Sequence, residues 1–371
     1  MVTDESSVEH LSVAMATETA ANVTETTAVN AATPSSSSRD IEFYFQCAVV
    51  VIGVVGTAAN ALILYAMVSS KQHKKHALIF NQNALDLFSS LFLVITYSLK
   101  LCNIYLTGSA EYWFCMLILS ENFIWCAILA SKTNLVFVTI ERYLKTVHHV
   151  WSKNKLRKCM IYSALAFAWI SGFVHLNALT FTTSDVIDGV CYAYMIWKSH
   201  ESQLAYGIWY FLLFYVIELI IFIFCYGHIL IAIRRQAKVM ASHGTTAGPS
   251  TAHAPSRQIQ SSVVKTMILV SAFYAISDLP MNAYYLMLNV HANLTLLDSG
   301  YYASMFISFF YICANPFIYA TKFDPVNQIL LRMIPCKTIS VQPIGTIEIP
   351  AFSTRTAQHR IDKSEMDMTN T

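Results

Sequence analysis

Charge is what this chain has least of. Lys, Arg, Asp and Glu make up 12% of its 371 residues, against roughly a quarter in a typical soluble domain. The formal balance is only +2, so no basic excess points to nucleic acid as a partner. Enzymatic signatures are missing too. The sequence holds no P-loop, no paired CxxC, no HExxH, and no Ser, His and Asp in a setting that supports catalysis, so it does not read as an enzyme. It also shows no repeat at the periods of solenoids or propellers. The few charges are unevenly placed: residues 1–43 hold 8 of the 46 and residues 322–371 hold 11, leaving 27 for the 278 residues between. A soluble core of that length needs far more polar surface. With 55% hydrophobic residues, the chain reads as a polytopic all-α membrane protein.

Seven apolar runs approach the length a bilayer demands, about 20 residues of helix. They cover 44–68, 77–99, 113–140, 158–181, 204–233, 263–289 and 299–321. The first carries no charge from Tyr44 to Val68. The second carries Asp86, the third Glu121 and Lys132, the fifth Glu218 and the sixth Asp278. Lys and Arg concentrate in alternate loops, at 69–76, 141–158 and 234–257. By the positive-inside rule these loops are cytoplasmic and the N-terminus is outside, as expected of a multi-pass protein of the plasma membrane.

The sequons at Asn22 and Asn293 both fall on the outer side and are candidate glycosylation sites. Residues 1–43 are rich in Thr, Ser and Ala, with seven acids, Arg39 and no apolar core of a signal peptide. They are expected to be a disordered extracellular tail, the first span acting as its own insertion signal. After the seven-span domain of 44–321, the stretch 322–336 carries Val326, Ile329, Leu330 and Met333 at helical spacing. It is expected to lie on the membrane surface as a short amphipathic eighth helix, with Cys336 either palmitoylated or a free thiol. Residues 337–371 read as a disordered cytoplasmic tail.

The polar residues inside the spans fall into a recognisable order. Gly56-Thr-Ala-Ala-Asn60, Asn83-Ala-Leu-Asp86, Glu141-Arg142-Tyr143, Trp169, Tyr226, Pro280 and Asn315-Pro316-Phe-Ile-Tyr319 follow one another along successive spans. In that order they resemble the rhodopsin-like (class A) G-protein-coupled receptors over about residues 44–336. The resemblance implies a receptor for an extracellular ligand that drives nucleotide exchange on a heterotrimeric G protein by moving helices 3, 5, 6 and 7, with arrestin as a further partner. It implies that Glu141, Arg142, Tyr143, Tyr226, Pro280, Asn315, Pro316 and Tyr319 form the coupling switch. Asn60, Asp86, Ser131 and Asn315 then form a polar cluster able to hold sodium, or a network that only joins helices. The family's acid at the inner end of span six is replaced by Gln260, which implies a weaker inactive latch and appreciable basal signalling. A bridge from Cys115 to Cys191 is implied as well, with Cys102 as the other partner. Cys115 stands 27 residues before Arg142 where the family has 25, a surplus a loop is expected to absorb.

One region departs from the pattern. Span six reads Ser277-Asp278-Leu279-Pro280 in place of the family's Cys-Trp-x-Pro, and Lys132, Glu218 and Tyr274 fall where apolar residues or proline are usual. Buried charges are costly unless paired. Lys132 is therefore expected to face both Glu218 and Asp278 in one buried cluster; pairing with Asp86, or exposure to a watery cavity, are the alternatives.

The ligand is not legible. Retinal is not expected, because Phe309 stands where light receptors carry their lysine. A monoamine is disfavoured, because Ile124 stands where amine receptors carry Asp, although Glu121 one turn outward could meet a cation. Trp209 and Tyr284 belong to an aromatic group that is either a membrane belt or a pocket wall. A transporter or channel using the intramembrane charges is the competing class; it would show inverted repeats or broken helices at the midplane.

Overall fold

A computed structural model of the chain describes residues 36–102, 110–187, 189–243, 254–290, 299–322 and 324–333. Contacts divide the chain after Leu330. All the packing below lies within the first unit, and of the second only residues 331–333, the end of the last helix, are described.

Many of the apolar runs are rich in Val and Ile, poor helix formers in water. In hydrocarbon every backbone N–H and C=O must be satisfied within its own segment, which overrides side-chain propensity. The result is α1 (Ser36–Ser69), α2 (Ala77–Leu101), α3 (Ala110–Val147), α4 (Lys158–Thr183), α5 (His200–Arg235, continuing as helix to His243), α6 (Ala254–Val290) and α7 (Ser299–Lys322). Each of the seven is long and apolar enough to cross a membrane. A last helix, α8, spans Asp324–Met333. Between α4 and α5 the strands β1 (Asp185–Ile187) and β2 (Val190–Tyr192) pair antiparallel, with Val186 opposite Cys191 and Gly189 turning the hairpin at φ 75°.

Apolar side chains fill the core and also cover the outside, while several polar ones are buried within it. Val54, Ile170, Val174, Ile220 and Ile276 face outward, whereas Asn60, Asp86, Lys132, Asn134 and Asn315 are buried. That is the signature of a multi-pass protein whose solvent is lipid. Of the apolar stretch of α3, 67% is buried, against 17% for α4, so α3 is the element around which the site is built. Small residues let the helices approach: a Cβ on Gly172 of α4 would meet the Cys126 carbonyl of α3 at 2.5 Å, and one on Gly56 of α1 would meet Cys313 Sγ of α7 at 2.5 Å.

Three details differ from the sequence expectations. Helix α1 begins at Ser36, within the segment read as tail. The two-residue surplus between Cys115 and Arg142 is absorbed inside α3 rather than by a loop: Cys115–Leu119 form a π turn, and Glu121 adopts a left-handed φ of 60° before the regular helix resumes at Asn122. Helix α5 carries a second π turn at Leu212–Val216. Each π turn lengthens the helix path by one residue and so rotates everything beyond it.

Candidate functional site

The end of the bundle bearing the basic loops holds Arg142. Its Nη2 lies 3.0 Å from Glu141 Oε2, an ionic contact without hydrogen-bond alignment, and Glu141 Oε1 takes Lys145 Nζ at 2.5 Å. The same Nη2 donates at 3.1 Å to Nδ1 of His76, just ahead of α2. Burial and then the Arg142 guanidinium push His76 down to about 4, so at neutral pH its ring is uncharged and its Nδ1 is an acceptor. Tyr226 on α5 bonds Thr139 Oγ1 on α3 and Ser271 Oγ on α6, each at 2.9 Å. Tyr143 bonds His148 Nε2 at 3.2 Å. Pro280 and Pro316 each interrupt a helix ladder, in α6 and α7.

Midway along the bundle, Asp86 accepts from Ser131 Oγ at 2.9 Å and from Asn315 Nδ2 at 3.0 Å, joining α2, α3 and α7. Asn60 does not join them. Its amide bonds the Gly56 carbonyl of its own helix at 3.0 Å, which removes it from the expected cluster. Two residues that sequence reading missed take part instead. Gln82 bonds Ser131, and Asn134 bonds Gln82 Oε1 at 2.8 Å and the Leu78 carbonyl at 3.0 Å. They sit one turn from Asp86 and Ser131 respectively, and that spacing was the available signal. The network continues through Asn81 to Trp169 Nε1 at 2.9 Å. Among the described residues no group of three or more His, Cys, Asp or Glu side chains converges to hold a metal.

Above this network Lys132 Nζ lies 2.7 Å from Asp278 Oδ2, both side chains being buried. Asn282 also bonds Asp278. Glu218 is close enough for its charge to act on Lys132 but makes no direct contact with it. No Lys132–Glu218 ion pair occurs among the described residues; Glu218 Oε2 instead accepts the Tyr274 hydroxyl at 2.7 Å, and Lys132 lies 5.9 Å from the Tyr274 ring centroid. The cluster is thus one ion pair on α3 and α6 beside a tyrosine–carboxyl pair on α6 and α5. The alternative pairing of Lys132 with Asp86 is absent as well, since no ion pair among the described residues includes Asp86.

At the other end, Cys115 is bonded to Cys191, tying β2 to α3. Beneath the hairpin opens a cavity of about 210 Å³, whose lining includes Lys100, Glu121, Trp125, Lys132, Tyr210 and Tyr285. A void of about 10 Å³, the size of one water, lies beyond it and is lined by Ser131, Lys132, Tyr274 and Asp278 among others.

Residues 59–319 match the family described as 7 transmembrane receptor (rhodopsin family). The chain belongs to that family. Rhodopsin-family receptors signal through G proteins in general, and this receptor carries the family's polar residues on successive helices. Lys132 lies at the cavity floor, tied to Asp278 in the small void beneath.

Of the residues proposed for the receptor's pocket, only Glu121 lines the cavity. It is not free for a cation: Oε1 takes Lys100 Nζ at 2.5 Å and the Tyr97 hydroxyl at 2.7 Å, and Oε2 takes Trp125 Nε1 at 3.1 Å. Phe309 and Ile124 are fully buried, Phe309 packing on Tyr97 and Trp125. Trp209 is 45% exposed and packs on His175 and Tyr206 outside the cavity. Tyr284 packs on Tyr301. Asn22, Asn293 and Cys336 lie outside the described residues, and so does the side chain of Gln260.

Proposed function

We propose that this receptor binds an extracellular ligand in the cavity under the disulfide and catalyses nucleotide exchange on a heterotrimeric G protein through movement of α3, α5, α6 and α7. The observation that carries the reading is Arg142. It is a buried guanidinium at the basic-loop end, held by Glu141 and His76 and by no acid of α6 among the described residues. A latch of that kind opens when α6 swings about Pro280, and the face it uncovers then serves the G protein and afterwards arrestin. The basic loops at that end support a cytoplasmic side, so in this reading the chain spans the plasma membrane with its N-terminus outside. In that orientation Asn22 and Asn293 carry glycans and Cys336 carries a palmitoyl chain.

Sodium has a place in the same reading. Asp86 is fully buried with no cationic partner among the described ion pairs, and a carboxylate so placed takes either a proton or a cation. Asp86 and the Ser131 hydroxyl would hold the ion, which supplies the missing positive charge. The deciding experiment is nucleotide exchange on purified heterotrimers of each G-protein class, with the receptor reconstituted in lipid. Exchange above background that is lost in Arg142→Ala supports the reading. Solute flux without exchange would make the chain a transporter.

A further inference from the structure

The cavity under the disulfide is lined by two positive side chains and one negative one, and the negative one is already engaged. Glu121 receives Lys100, Tyr97 and Trp125 on its two oxygens. At the floor the arrangement is different. Lys132 is the one described residue that lines both the cavity and the small void beneath it, whereas its partner Asp278 lines the void alone. The ammonium therefore stands between the ligand space and the Asp278 carboxylate. Tyr285 is also part of the cavity wall, and its buried hydroxyl has no protein hydrogen-bond partner. The rest of the wall is mainly apolar, from Leu119, Trp125, Leu176, Leu179, Met281 and Leu288.

We propose that the cavity takes an amphipathic monocarboxylate whose carboxylate reaches Lys132 in competition with Asp278. A carboxylate gains a charge-assisted hydrogen bond from the ammonium, while its apolar body covers the leucine wall. An amine would meet two ammonium groups and no unengaged carboxylate. The volume of about 210 Å³ falls below the roughly 300–1,000 Å³ of drug-sized pockets, which limits the ligand to a small acid or the last residues of a peptide. Drawing Lys132 away from Asp278 unties α6 from α3 two residues before Pro280, so binding and release of the helix are one event. The proposal rests on the ligand-operated reading given above and adds the ligand class to it.

The test uses thermal unfolding of the purified full chain in detergent, a readout that needs no G protein. The probes are straight-chain acids from butyrate to dodecanoate, 3-phenylpropionate and indole-3-acetate, each beside its methyl ester and primary amide. N-acetyl tripeptides with free or amidated C-termini separate a peptide source from a free acid. At least one carboxylate should raise the midpoint saturably where its ester and amide do not. The paired variant Lys132→Met with Asp278→Asn, which removes both charges together, should fold and lose the response. Asp278→Asn alone removes the competitor and should tighten the carboxylate by about tenfold or more. The proposal is overturned by a panel without a stabilising acid, by esters or amines acting as well as acids, by a response retained in the paired variant, or by unchanged affinity in Asp278→Asn. A stabilising acid that evokes no nucleotide exchange would instead count against the signalling reading and leave the ligand class standing.

Discussion

Lys132 and Asp278, 2.7 Å apart, cross-link α3 to α6 just beneath the cavity under the disulfide. Removing one member of a buried pair leaves the other as an uncompensated charge, at a cost of about 3–5 kcal/mol, whereas removing both is often close to neutral. Lys132→Met alone should therefore lower the unfolding midpoint well below that of the Lys132→Met, Asp278→Asn pair. Exchanging the two charges, Lys132→Asp with Asp278→Lys, should recover much of what either reversal breaks. The same exchange with Glu218 should not, because Glu218 is bonded to Tyr274. Equal rescue by both exchanges would mean that Glu218 shares the ammonium.

His76 gives the receptor a dependence on pH at its other end. The folded chain favours the neutral ring, with its pKa pushed down to about 4 by burial and by Arg142. Between there and the ordinary value near 6.5 the unfolded chain binds the extra proton. The stabilisation is thus complete above about 6.5 and is lost as pH falls toward 4, to the extent of about 3 kcal/mol at most. His76→Asn, which keeps an acceptor and cannot titrate, should flatten the fall in midpoint between pH 7 and 5. His76→Ala should raise ligand-free nucleotide exchange, since it removes one of the two groups holding Arg142. Wild type and His76→Asn sharing one pH slope would clear His76 of the effect.

The spans and the order of motifs were legible because a bilayer allows few solutions: an apolar run of sufficient length has to be helical. The Lys132–Asp278 pair was legible for a related reason, since a charge in lipid needs a partner and few are available. Which partner it takes was not, because Glu218 and Asp278 are equally plausible by spacing, and the Tyr274 hydroxyl decided between them. Trp209 was left open between a membrane belt and a pocket wall, because composition does not say which face of α5 it occupies. It lies 45% exposed, outside the cavity, just before the π turn at Leu212–Val216, whose extra residue turns the helix face by about 100°. Glu121 was misread because its partners Lys100 and Tyr97 come from another helix, and sequence separation says nothing of which helix stands opposite. Asn60 was assigned by resemblance to a network that its own helix carbonyl had already claimed.

Asp86 offers a test by ion replacement. It is fully buried, receives the neutral donors Ser131, Asn315 and Gln82, and belongs to no ion pair among the described residues. If sodium supplies the missing charge, exchanging choline for sodium at constant ionic strength should raise the unfolding midpoint of the wild type. Asp86→Asn should show no such difference, because the amide carries no charge to balance. A wild type indifferent to the choice of cation would leave Asp86 protonated and the ion absent.

The left-handed backbone at Glu121, φ 60°, sets two requirements against each other at one position. A residue with a Cβ is strained there by roughly 1–2 kcal/mol, while the carboxylate that causes the strain to be kept receives Lys100, Tyr97 and Trp125. Glu121→Ala loses the three bonds and retains the strain; Glu121→Gly loses the same bonds and relieves it. Elsewhere in a helix glycine is the worse of the two by about 1 kcal/mol, so the order of these variants reports the local backbone directly. Glu121→Gly should unfold at a higher temperature than Glu121→Ala, with both below the wild type. The reverse order would place Glu121 in ordinary right-handed helix. The two surplus residues between Cys115 and Arg142 would then have to be accommodated elsewhere in α3.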